Sequence, residues 1–173
     1  MIPEDPTSIH PLDHPLNHSV QSGDLLAWDY DELSGLYRYV NMFIQSMTMS
    51  SYSHVGIAIR RGSDVFVLEA TQPKIRISPL KNKGDFYVLP LGPVDHDELE
   101  RIAQDYIGKE YSILDCIRAY LGLKINSNKR WQCAELAVRV YQRLGIELKP
   151  ARLTPQSLIK TALIYSKAGL WYF

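Results

Sequence analysis

The sequence predicts an α+β domain built around a small antiparallel sheet. Strand-like apolar runs cluster between residues 54 and 91, and helical periodicity takes over from residue 95. A length of 173 residues, 46% of them hydrophobic, fits one ordinary domain with a sizeable core. Residues 21–173 are read as that domain, preceded by an N-terminal arm, residues 1–20.

The arm carries a short tandem, His10-Pro-Leu-Asp and His14-Pro-Leu-Asn, closed by His18. A spacing of four would align the histidines on one helix face, but Pro11 and Pro15 oppose a regular helix there. A loosely ordered segment draped on the domain is expected, with a metal site from His10, His14 and His18 as the alternative. Gly23-Asp24 then turns into a short strand, residues 25–28. Residues 31–49 place apolar side chains at 33, 36, 37, 40, 43, 44 and 47, a helical period.

Two strands, residues 54–59 and 65–70, flank Arg61-Gly62-Ser63 as a hairpin. Pro73 and Pro79 bracket an extended piece at 75–77. A further strand, residues 86–91, ends at Gly92-Pro93. Helices are then expected over 95–107 with Gly108 as stop, over 113–123, and over 132–144 with Gly145 as stop. A last helix opens at Thr154-Pro155, with Thr as N-cap and Pro in the first turn.

Composition excludes several classes. Nineteen basic residues balance nineteen acidic ones, so no basic footprint for nucleic acid exists. No apolar run is long enough to span a bilayer. The first twenty residues lack the basic start and apolar stretch of a signal peptide, so a cytoplasmic or phage-associated location is expected. Two cysteines, Cys116 and Cys133, make no disulfide framework.

Cys133 opens a strong helical pattern in Trp131-Gln-Cys-Ala-Glu-Leu-Ala137. A thiol in a first helical turn meets the positive end of the macrodipole and unpaired amides. Both favour the reactive thiolate, and the same amides can hold an oxyanion. The competing reading is core packing, because Cys133 shares a stripe with Leu136, Ala137, Val140 and Leu144. Cys116, mid-pattern between Leu114 and Ile117, is read as core.

His54 shares a strand face with Gly56 and Ala58, small residues that would let a helix approach the sheet beside the imidazole. Glu69 is the one charge in the apolar run 65–70 and needs a partner if buried. A two-residue turn at Arg61-Gly62 sets His54 directly opposite Glu69. A four-residue loop, 61–64, makes the two diagonal neighbours on one face, and a three-residue loop separates them. A carboxylate beside the imidazole would fix its tautomer and raise its basicity. The alternatives are an arginine partner for Glu69 and a strand-end role for His54. Cys133, His54 and Glu69 together supply the nucleophile, base and orienting acid of a cysteine hydrolase.

Ser53-His-Val-Gly-Ile57, Val67-Leu-Glu-Ala70 and Gln132-Cys-Ala-Glu-Leu136 resemble the circularly permuted branch of the NlpC-type papain-like hydrolases, the YiiX-like group. Gly23-Asp24-Leu25, Gly108-Lys-Glu-Tyr111 and Thr154-Pro-Gln-Ser-Leu158 are similar to its opening strand, its Gly-x-x-Tyr and its late helix start. Histidine and glutamate precede the cysteine here, as in that branch. Ala134 stands where the family carries Ser after the cysteine. The resemblance implies a permuted papain-like domain and a catalytic triad of Cys133, His54 and Glu69 with no cofactor or metal. It also implies action on amide bonds of peptides, including cell-wall peptides. Acyl transfer or thioester hydrolysis on the same scaffold, and an inactive binding domain, are the alternative functions.

Overall fold

The computed structural model describes residues 20–29, 52–112 and 130–169, together with 118, 121 and 123. The described strands are β1 (Leu25–Asp29), β2 (Tyr52–Arg61), β3 (Asp64–Ala70), β4 (Ile75–Pro79), β5 (Tyr87–Leu89), β6 (Glu110–Tyr111) and β7 (Arg130–Trp131). The described α-helices are α1 (His96–Gln104), α2 (Cys133–Arg143) and α3 (Pro155–Gly169). The sequence-predicted helix over 31–49, the histidine arm, Cys116 and all of the helix predicted over 113–123 except residues 118, 121 and 123 lie outside the described residues.

β1 to β5 form one antiparallel sheet in the order β4-β3-β2-β1-β5. The alternation of side chains decides what each face meets. Leu25, Ala27, Val55, Ile57, Ile59, Leu68 and Ala70 pack against the helices. Leu99 and Ile102 of α1, Leu136 and Val140 of α2, and Leu158 and Ile159 of α3 complete that core. The opposite face carries a smaller cluster of Leu26, Trp28, Ala58, Val67, Leu80 and Val88. The fold is therefore α+β, with helices collected on one face of an antiparallel sheet. A short parallel ladder joins β6 to β7, a pairing that two isolated dipeptides gave no periodicity to announce.

Helix boundaries follow local chemistry. The Asp95 carboxylate accepts from the Glu98 N–H at 2.9 Å and caps α1. Thr154 Oγ1 accepts from the Ser157 N–H at 3.3 Å and caps α3, whose first residue is Pro155. The turn after α2 places Gly145 at φ +80°, which a side chain would resist.

The start of β1 is tied to α2 through a buried bond, Tyr141 O–H to the Gly23 carbonyl at 2.9 Å. Asp24 beside it is buried and accepts from the Gln21 N–H at 2.7 Å. Burial pushes its carboxyl up to about 6, and the Gln21 bond only partly opposes this. A carboxyl whose pKa rises on folding lends its stability at low pH and loses it as pH climbs through about 6. Asp24→Asn is therefore expected to gain about 2–3 kcal/mol on wild type between pH 4 and pH 8, read from urea unfolding. An Asn–wild type difference that does not change with pH would show a well-solvated carboxylate.

Candidate active site

Cys133 is the first residue of α2, with Gln132 as N-cap in extended conformation. The helix lays Cys133, Leu136, Ala137 and Val140 against the Val55–Ile57 face of β2, so the cysteine is also part of the core stripe. Its side chain is 4% exposed. Its burial is the one that the core reading expects, and its place at the start of a helix is the one that the site reading expects.

The hairpin differs from the expected one. Arg60 pairs with Val65 and Arg61 with Asp64, so the two turn residues are Gly62 and Ser63, one position later than Arg61-Gly62. Glu69 then falls opposite Gly56, and His54 is its diagonal neighbour on the same face, the geometry that a 61–64 loop gives. The pair still closes: His54 Nε2 lies 3.0 Å from Glu69 Oε2. Gly56 also serves a different purpose from the expected one. A Cβ there would lie 2.4 Å from Val67 Cγ1 and 3.6 Å from Trp28. The missing side chain admits Val67 and the indole, whereas α2 packs on the other face of the sheet.

Glu69 is 1% exposed and fully engaged. Oε2 faces His54, while Oε1 accepts from Arg76 Nε at 3.1 Å, Ser78 Oγ at 2.8 Å and Lys83 Nζ at 2.6 Å. Arg76 and Ser78 come from β4, where Arg76 pairs directly with Glu69. Lys83 follows the 3-10 turn Leu80–Asn82. Sequence reasoning set a histidine partner and an arginine partner as alternatives; the carboxylate takes both. The alternation Ile75-Arg-Ile-Ser was the available signal for Arg76 and Ser78. Trp28, opposite His54 in the register, covers the imidazole with ring centroids 5.5 Å apart.

These contacts set the charges. Burial alone would raise the Glu69 carboxyl, but the bonds to His54 and Lys83 outweigh it and hold the group well below the usual carboxylate range. Burial likewise opposes a charged His54, yet hydrogen bonds to Cys133 and Glu69 lift the imidazole to about 9. Burial disfavours the Cys133 thiolate, and His54 and the Val55 and Ala134 backbone outweigh that, lowering the thiol from its ordinary value. With Nε2 committed to Glu69, Nδ1 is the ring nitrogen left to meet the sulfur. Both shifts run in the direction that favours an imidazolium–thiolate pair backed by a buried carboxylate.

Two buried N–H groups have no partner among the described residues: Trp28 Nε1 and Gln132 Nε2. The second belongs to the residue preceding Cys133.

No protein-family model matches the chain, and no curated protein matches it. Among solved structures the chain is similar to one described as metalloprotein yiiX from Escherichia coli O157:H7, DUF1105. The TM-score is 0.56 at 23% identity, over 84% of this chain and 81% of that one. The likeness supports a YiiX-like α+β fold. That neighbour's name calls it a metalloprotein, but the candidate site here does not suit a metal ion. Among the described residues no three His, Cys, Asp or Glu side chains group as ligands. The Glu69 oxygens are already taken, and Arg76 and Lys83 beside them would repel a cation.

The lowered thiol sets a pH expectation. Because the thiolate is the reactive form, iodoacetamide should alkylate Cys133 at pH 6 more than about tenfold faster than an unperturbed thiol. Peptide mapping by mass spectrometry reads the rate at each cysteine. A rate that rises only as alkali reaches the ordinary thiol range would contradict the ion pair.

Proposed function

We propose that the protein is a cysteine-dependent hydrolase of amide bonds, a peptidase or amidase with a permuted papain-like domain. The observation that carries this reading is the placement of Cys133, at a helix start, beside a His54 whose Nε2 is held at 3.0 Å by the buried Glu69. The order His54, Glu69, Cys133 along the chain agrees with the permuted NlpC-type branch. Peptide amides, including those of cell-wall peptides, are the substrate class that this resemblance suggests.

In this reading the Cys133 thiolate attacks the carbonyl carbon and a C–S bond forms. Charge develops on the carbonyl oxygen near the first amides of α2, where the N–H groups and the helix dipole favour it. The tetrahedral adduct collapses, the C–N bond breaks, and His54 gives its proton to the departing amine. A water then attacks the thioester with His54 as base, releasing the acid and restoring the thiol. Glu69 keeps the ring oriented and stabilises its charged form throughout.

Each residue has its own signature on substitution. Cys133→Ala should abolish turnover of a peptide-amide library. His54→Ala should cost about 10³-fold or more in kcat, and Glu69→Gln less, by analogy with orienting acids in other triads. Intact-mass analysis should find an acyl adduct on Cys133 during turnover. Activity retained in Cys133→Ala would overturn the proposal, and faster turnover of thioesters than of amides would move it to acyl-transfer chemistry.

A further inference from the structure

The charges around Glu69 do not balance. His54 and Cys133 together add no net charge, whether both are neutral or both are ionised, whereas Glu69 faces two further cations, Arg76 and Lys83. One positive charge is left over beside the site. No acidic residue occurs between Glu69 and Asp85, and the intervening stretch carries Lys74, Arg76, Lys81 and Lys83. Glu110 pairs with Lys74 through the backbone, at the other end of β4 from the Lys83 turn.

Arg76 reaches Glu69 through Nε alone, and its side chain is 53% exposed. The terminal nitrogens of its guanidinium make no bond to any described residue and lie on the His54 face of the sheet edge. One nitrogen of the fork is thus held by a buried anchor, while about half of the side chain is exposed. Such a planar fork matches a carboxylate in bidentate fashion. Lys83, 21% exposed, adds a second positive charge on the same carboxylate of Glu69.

We infer that Arg76, assisted by Lys83, is a specificity-determining anion clamp that selects substrates bearing a carboxylate close to the scissile amide. This rests on the hydrolase reading and narrows its substrate class to acidic peptides or N-acyl amino acids. A monoanion closes the local charge balance, which favours a carboxylate over a phosphate dianion. Two hydrogen bonds, the Glu69 carboxylate and the His54 imidazole separate the clamp from the sulfur, so the carboxylate belongs to the part of the substrate on the His54 side of the reacting carbonyl.

Two alkylating reagents test this without knowing the substrate. Iodoacetate and iodoacetamide deliver the same carbon to the sulfur, with and without a carboxylate. The ratio of their rates at Cys133, divided by the same ratio for glutathione, should be about ten in low salt. It should fall toward one in Arg76→Gln and in Lys83→Gln, and fall in wild type at high ionic strength, because a half-exposed clamp is screened. Lys149→Gln, which removes a remote surface cation, should leave the ratio unchanged. A normalised ratio near one in wild type, or one insensitive to both site substitutions, overturns the clamp. Slow reaction of Cys133 with iodoacetamide itself would instead sink the thiolate reading, and the clamp with it. If Arg76→Gln does not fold, Lys83→Gln and the salt series on wild type decide the matter.

Discussion

A carboxylate buried in an apolar strand must be paired, and the Glu69 side chain organises much of the region around that need. It draws His54 from β2, Arg76 and Ser78 from β4, and Lys83 from the turn beyond. The strand order makes this possible. β3 lies between β2 and β4, so one residue in its middle can bond to both neighbours. The cost of burying the charge is offset by several bonds, and the bond on the β2 side fixes the imidazole that faces Cys133.

The helix on the other face of the sheet supplies the remaining part. α2 is anchored by Leu136, Ala137, Val140 and Tyr141, which are core residues in the ordinary sense. Their packing sets where the helix begins, and therefore where Cys133 stands relative to the end of β2. Core packing and site geometry are the same interactions here. A cysteine that belongs to a hydrophobic stripe can also be the residue placed against a histidine.

Much of this was legible in the sequence. Period-two runs located β2 and β3, the Thr-Pro pair located α3, and Gly145 marked the end of α2. Parity of the hairpin placed His54 and Glu69 on one face whichever even loop was used. The details that escaped were those that parity does not settle. The turn at Gly62-Ser63 made the pair diagonal, because Arg61 and Asp64 extend the ladder by one step. Gly56 was legible as a close approach, but not which group approaches, since Val67 on the next strand and an approaching helix leave the same glycine signal. The convergence of Arg76, Ser78 and Lys83 depends on β4 folding back along β3, a long-range pairing that local pattern does not specify.

The proposed chemistry depends on an imidazolium–thiolate pair of His54 and Cys133 held by Glu69. Ultraviolet absorbance near 240 nm reads the thiolate directly, as the difference between wild type and Cys133→Ala across pH. Thiolate absorbance at Cys133 should be present at pH 6 and should disappear at that pH in His54→Ala. A wild-type signal that emerges only near the ordinary thiol pKa of about 8.5, and is indifferent to His54, would contradict it.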